Sequence, residues 1–429
     1  MQAALPLPSG PIGLRSRLPS SPRLLPWWGL AFILASPPAG ALRPTPLDAE
    51  GAYRRLLWVT RWDYRSPEDI ERICYNAASA RFTDLLFQVR GEGTVFFRSP
   101  FEPWAWELTA RAPAKGLGVD PGWDPLATAI REGRRRGLRV HAYVNVLPAW
   151  AQSSDPPAGH GQPYADHPSW LMVDRAGRRM KPEGFYAFLD PSLPEVRRHL
   201  AQLAARLVRD YPVDGVHLDY IRYPHESGDF SYHPRALAEF RAWYGKSPAE
   251  LPETWERYRQ HQVTETVRAI REAIDGVRLG VELSAAVLAN IELGQRKAGQ
   301  DALTWLARGY VDAIAPMVYV QTTDQFRQLL GPILGRADRG RVWVGIRSVE
   351  ENRAFLPQIE LAAEAFAGGI AVFSYGTVFP GHATTPQVVA VYRRFVAAAP
   401  SAPPSTASWA TARPGGGLKT RSPNLKVKF

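Results

Sequence analysis

Between Tyr53 and Ala399 the chain repeats one pattern, a short apolar run with polar residues at alternate positions followed by a stretch of helical spacing. Eight such runs read as strands, at 56–63, 84–90, 140–146, 213–219, 279–285, 312–319, 342–346 and 370–375. Helical patterns fall between most of them, for example at 67–81, 124–136, 194–210, 265–274 and 352–367. Repeated strand–helix alternation predicts an α/β chain whose residues 53–399 form a (β/α)8 TIM barrel. A doubly wound open sheet would carry a glycine-rich phosphate turn after its first strand, and none follows Asp63.

Side-chain parity sharpens this expectation. In the third strand Val140, Ala142, Val144 and Val146 form the helix-facing set, which leaves His141, Tyr143 and Asn145 for the interior. The fourth strand ends His217-Leu218-Asp219, with His217 and Asp219 on the inner face. In the fifth, Leu279, Val281 and Leu283 face out, leaving Gly280, Glu282 and Ser284 inside. The same reading points Arg90 of the second strand, Tyr319 of the sixth and Tyr375 of the eighth toward the interior. A purely structural barrel fills its centre with branched aliphatics. This one carries Arg, Asn, His, Asp, Glu and Tyr, as a polar-substrate pocket requires. The bland alternative is a buried charge lattice of Arg90, Asp219 and Glu282 without chemistry.

Two long connections follow the second and third strands, at 91–122 and 147–191, on the C-terminal rim where barrel active sites lie. They hold Trp104 and Trp106, then Trp150, Tyr164, Trp170, Phe185, Tyr186 and Phe188. Such rings can stack on sugar faces or fill the loops' own cores; Trp104 and Trp150 are the candidates for stacking.

The formal charge of +11 suggests nucleic acid, but its placement argues against that partner. Residues 1–41 hold Arg15, Arg17 and Arg23 and no acid, and residues 400–429 hold five basic residues and no acid, so +3 remains for the middle. Arginines precede the apolar run from Leu24 to Ala35, and small residues follow at Ala39-Gly40-Ala41. That order reads as a signal peptide or an N-terminal membrane anchor at 1–41, and hence export to the periplasm or beyond. The tail at 400–429 reads as disordered and basic. The lone Cys74, beside Ile70 and Ile73 in a helical pattern, reads as a buried structural thiol.

Several runs carry a family resemblance. They include Trp58-Val59-Thr60, Phe87-Gln88-Val89-Arg90, Phe101-Glu102-Pro103-Trp104, Asp124-Pro125-Leu126 and Arg136 through Asn145. Leu189-Asp190-Pro191, Val213 through Tyr220 and Asp312 through Tyr319 continue the series. In this order the chain resembles the bacterial glycosyl hydrolase-like family ten. The resemblance implies a (β/α)8 barrel, export or surface location, and action on glycans, cell-wall polymers among them. Two departures stand out. Asp219-Tyr220 replaces the adjacent acids of many relatives, and Ser284-Ala285-Ala286 replaces a Ser-Pro-aromatic run.

Glycoside hydrolysis usually needs two carboxyl groups, one donating a proton to the leaving oxygen and one serving as nucleophile or base. The residues name Asp219 as the first, with Glu282 ranked ahead of Glu92 and Glu226 as the second. Arg90, His141, Tyr143, Asn145, His217, Tyr319, Trp104, Trp150 and Tyr375 are the candidate substrate-binding residues. The expected partner is a polysaccharide such as peptidoglycan or an exopolysaccharide, with no cofactor and no metal. Two alternatives stay open: a glycan-binding barrel without turnover, and a metal-dependent hydrolase or deacetylase using His141, His217 and Asp219.

Overall fold

The computed structural model describes residues 53–384 except 110, 225–227, 349–351 and 366. The leader or anchor expected at 1–41, the tail expected at 400–429 and Glu226 lie outside the described residues. Among the described residues no helix is long and apolar enough to cross a membrane.

Eight strands close a parallel barrel: β1 Arg54–Val59, β2 Asp84–Arg90, β3 Arg139–Asn145, β4 Gly215–Asp219, β5 Glu282–Leu288, β6 Ala313–Met317, β7 Trp343–Arg347 and β8 Gly369–Phe373. Each pairs with its neighbours in chain order, and β8 returns to β1. Helices α1 Pro67–Ser79, α2 Pro125–Arg134, α3 Pro194–Asp210, α4 Pro252–Asp275, α5 Ala302–Ala307, α6 Thr323–Leu334 and α7 Phe355–Glu364 lie between successive strands. Local chemistry starts them where the pattern predicts. Ser66 and Asp69 form a reciprocal capping box ahead of α1, and the Asp124 side chain caps α2.

Alternation divides the apolar residues of the strands between an outer core and the lumen. Leu57, Phe87, Ala142, Val216, Leu283 and Val344 pack outward against Ile70, Leu200 and Val267 of the helices. Leu56, Trp58, Leu86, Tyr143, Ala286, Ala315 and Trp343 fill the lumen. Cys74 is buried in the outer core, and burial pushes its thiol up to about 12, which keeps it protonated and unreactive.

Two local departures decide the site. The fifth strand starts at Glu282 and runs to Leu288, so it lies three residues beyond the expected 279–285. Leu279 is 73% exposed, and Gly280 turns the chain at φ +81°. Parity survives this shift, but Glu282 becomes the first residue of its strand. In β2 the register slips between Gln88, opposite Tyr143, and Arg90, opposite Val144. The extra residue turns Arg90 from the lumen toward the outer layer.

Candidate active site

Asp219 ends β4 on the inner face, opposite Asn145 of β3, at the C-terminal mouth of the barrel. Its Oδ2 accepts from the Tyr143 hydroxyl at 3.0 Å. Its Oδ1 accepts from the Tyr220 backbone N–H at 2.6 Å and from Arg222 at 3.0 Å. Tyr220 sits at φ 49°, an uncommon conformation for a side-chain-bearing residue, and so reverses the chain immediately after the acid. The Arg222 guanidinium returns over the Tyr220 ring at 4.3 Å. Around that ring stand Phe185, Tyr186 and Phe188, with Tyr186 at 5.3 Å. Asp219 is largely buried, with 11% of its side-chain surface exposed, so the carboxylate is held firmly at the edge of the mouth. Beside it Asn145 is buried, with no hydrogen-bond partner at its Oδ1.

A second acidic group lies on the same rim. Arg61, in the turn after β1, meets Glu92 at 3.2 Å and Glu107 at 2.9 Å, and all three are buried. Gly91 is required here, because a Cβ at that position would lie 2.0 Å from the Arg61 guanidinium. Glu92 also accepts from the Trp106 indole at 3.1 Å and from the Gln152 amide at 3.0 Å. Neither Glu107 oxygen has an aligned hydrogen bond. Two buried acids therefore share one cation, and the less well-solvated one takes the proton. Burial, joined by the Glu92 charge and only partly offset by Arg61, pushes the Glu107 carboxyl up to about 7. Tyr186 links the two groups, for its hydroxyl feels Arg61, Glu92, Glu107 and Asp219.

Glu282 is not at the mouth. It faces Gly215 at the N-terminal end of the barrel and accepts from Arg139 at 2.7 Å, with Arg54 at 3.4 Å. His141 belongs to the same lower layer. Its Nε2 lies 3.0 Å from Asp84, and Gly215 leaves room for its ring. Expecting Glu282 as the second carboxyl and His141 as a substrate ligand is thus corrected by the strand's late start and by the lower layer's ion pairing. At the level of Asp219 the fifth strand offers Ala286 instead.

Arg90 is corrected as well. Turned outward by the bulge, it grips Glu102 with two bonds of 2.7 Å and donates to the carbonyls of Asn145, Val146 and Pro148. Burial alone would raise the Glu102 carboxyl, but Arg90 and His199 outweigh it and hold it down to about 2. The pair anchors the start of the connection after β3. Trp150 is fully buried and donates to the Ser154 carbonyl at 2.8 Å, and Trp104 is half-buried against the outer core. Tyr375 lies outside the lumen, where its hydroxyl meets Asn76 of α1 and His382, each at 2.9 Å. Trp150 and Tyr375 thus hold loops and helices together and present no face to a sugar at Asp219.

His217 occupies the layer beneath Asp219. Trp58 donates to its Nε2 at 3.2 Å, so Nδ1 carries the proton and donates to Ser284 at 2.9 Å. Burial, with His141 adding to it, pushes the ring down to about 3, and it stays neutral as a packed plug. With both nitrogens engaged, His217 is not free to bind substrate or metal, and His141 sits a layer lower still. Tyr319 follows β6 on the same C-terminal rim, under the Arg347 guanidinium at 5.3 Å and 5.9 Å from the Phe373 ring of β8. Of the expected residues, Tyr143 and Asn145 are therefore the ones brought to Asp219. Arg61, Trp62 and Glu107 were missed, although an acid directly following Trp104-Ala105-Trp106 in a rim loop was a usable signal.

Residues 55–331 match the family described as Glycosyl hydrolase-like 10. Glycosyl hydrolase DigH of Escherichia coli K12 is 27% identical over 332 residues, covering 67% of this chain and 70% of that protein. Glycosyl hydrolase YngK of Bacillus subtilis 168 is 26% identical over 265 residues, covering 59% of this chain and 47% of its own length. Among solved structures, the PgaB (BpsB) glycoside hydrolase domain from Bordetella bronchiseptica aligns with a TM-score of 0.59 at 16% identity, over 79% of this chain and 98% of that one. The catalytic domain of a Paenibacillus polymyxa β-amylase also scores 0.59, at 10% identity, over 82% and 99% of the two chains. At such identities the likeness concerns the fold. The matched span covers more than half of the sequence, β1 through most of α6, and the chain belongs to the glycosyl hydrolase-like 10 family.

Proposed function

We propose that this chain is an exported glycoside hydrolase that cleaves a polymeric glycan, peptidoglycan strands or an exopolysaccharide, using Asp219 as nucleophile or base. The observation that carries this reading is the Asp219 carboxylate itself, fixed by three donors at the C-terminal mouth with 11% of its side-chain surface exposed. Tyr143 and Arg222 orient the carboxylate oxygens. The mouth also supplies a carboxyl that carries a proton near neutrality. In this proposal Glu107 takes the acid role first expected of Glu282, with the 91–122 loop moving to admit the glycosidic oxygen.

The test is a product screen of the mature protein against peptidoglycan glycan strands and exopolysaccharides, read by mass spectrometry. Wild type is expected to release oligosaccharides and Asp219→Asn to release none while still binding the polymer. Release of the same fragments by both proteins would remove Asp219 from the reaction. Binding without release by wild type would favour a glycan-binding barrel instead.

A further inference from the structure

We propose that Trp62 is a sugar-stacking platform that forms the glycan-binding subsite beside Asp219. The inference rests on the glycan-hydrolase reading above and adds a residue and a direction to it. Trp62 lies in the turn after β1 and is 43% exposed, so part of its indole is open to a ligand, and unlike the exposed Trp243 it is braced by two arginines and a second indole at the mouth. Its position is fixed from below. Asp63 closes the turn by accepting from the Thr60 N–H at 2.6 Å and the Thr60 hydroxyl at 3.0 Å. The Arg61 backbone N–H donates to Gln88 at 2.8 Å. The Arg61 guanidinium, clamped by Glu92 and Glu107, lies 4.7 Å from the indole centre, and Arg65 lies at 5.7 Å. Trp106 meets it edge-on at 6.2 Å.

These contacts immobilise an exposed ring, which removes an ordering cost from any ligand that lands on it. A series of ring and cation contacts joins Trp62 to the surroundings of the carboxylate. Arg61 lies 5.7 Å from the Tyr186 ring, Tyr186 lies 5.3 Å from Tyr220, and Tyr220 follows Asp219. A glycan chain that leaves the mouth along this series of rings reaches Trp62 beyond the reacting sugar. Pyranose rings suit the surface, because one face presents C–H groups to the electron-rich indole while their hydroxyls stay in water.

Trp62→Ala in wild type is expected to raise KM about tenfold on the glycan cleaved, with kcat within about twofold, because uniform binding is lost rather than transition-state binding. Trp62→Phe should recover most of that loss. Binding is measured separately in the Asp219→Asn background, using chitohexaose and soluble peptidoglycan glycan strands followed by calorimetry. Adding Trp62→Ala should weaken the better of the two about tenfold. Trp243→Ala, which removes an exposed indole on the helix Pro234–Tyr244, should leave affinity unchanged. Equal affinity with and without Trp62, or no binding of either probe by Asp219→Asn, overturns the proposal. A wild type that binds in a Trp62-dependent way but releases nothing would instead remove the hydrolase reading and leave the platform standing.

Discussion

Two buried charge clusters occupy opposite ends of this barrel, and they differ in balance. At the N-terminal end Asp84 and Glu282 face Arg54 and Arg139, with His141 between them. At the mouth Glu92 and Glu107 share Arg61, while Asp219 is served by Arg222. The lower cluster matches two acids with two arginines. Burial there would raise the Asp84 carboxyl, yet His141 and Arg54 together hold it well below the usual carboxylate range. The upper cluster sets three acids against two arginines, and the surplus emerges as a carboxyl that retains its proton. A buried acid in a barrel lumen is therefore informative through its height along the strand and its count of matching cations. A balanced set locks the floor together, whereas an unbalanced set at the loop end leaves a proton to move.

The strongest way to break this contrast is to neutralise one acid at each end. Asp219→Asn is expected to lower turnover by about 10²–10⁴-fold, the usual scale for a lost general acid or base, with the fold retained. Glu282→Gln is expected to do the reverse. It leaves the partly exposed Arg139 and the buried Arg54 short of a counter-charge and should cost about 1.5–3 kcal/mol of stability, with kcat retained in the surviving folded protein. Chemical denaturation and initial rates on the two variants decide the matter. If Glu282→Gln lost turnover without losing stability, the assignment of the two ends would be reversed.

Glu107 sharpens the comparison through pH. Its folded carboxyl titrates at about 7, against 4.5 for the ordinary value, so folding favours the protonated form. The full contribution of this group is present below pH 4.5 and is lost as pH rises through about 7. The difference corresponds to about 3 kcal/mol. Glu107→Gln removes the penalty and should stabilise the protein relative to wild type by up to about that amount at pH 8 and by almost nothing at pH 4. Paired urea melts at the two pH values measure this directly, and an equal difference at both would sink the claim of a held proton. If Glu107 also serves as the acid, the alkaline fall in kcat/KM near pH 7 should vanish in the same variant.

The contrast also shows how far the residues could be read without coordinates. Strands β2, β3 and β4 were legible because β-branched and apolar residues alternate with polar ones between clear helical patterns, and the end of β4 led directly to Asp219. Glu282 was misplaced because Leu279, Val281 and Leu283 continue the alternation past the true start of the strand. A period of two fixes which face a residue occupies but not where pairing begins. Arg90 was misplaced for a related reason, since one bulged residue reverses parity and nothing in Phe87-Gln88-Val89-Arg90 marks it. Trp62 and Arg61 were hidden inside a strand taken to run to Asp63, although the chain leaves β1 at Val59. Tyr375 was counted into the eighth strand, which ends at Phe373. In each case the face was argued from local pattern while the end of the element was set by tertiary pairing.

A smaller effect separates Asp219's supports from its chemistry. Tyr143→Phe removes the hydroxyl that donates to Oδ2 and keeps the ring that packs on His217. A hydrogen bond to a charged acceptor is worth about 1.5–3 kcal/mol, so kcat/KM should fall by about ten- to a hundredfold. The fold should be retained, because the ring still fills the lumen. An unchanged kcat/KM would mean that Arg222 and the Tyr220 N–H suffice to orient the carboxylate.

The smallest effect is expected at Tyr375, a residue first assigned to the sugar site. Its hydroxyl accepts from Asn76 on α1 and contacts His382, both at 2.9 Å, so Tyr375→Phe loses bonds between β8's exit and a helix rather than bonds to substrate. Such a change should cost about 1 kcal/mol of stability and leave KM and kcat unaltered. The Asn76 amide keeps its bond to the His382 carbonyl at 3.1 Å, which limits the penalty. A raised KM with unchanged stability would place Tyr375 back in the mouth and overturn the division between lumen and outer layer at the eighth strand.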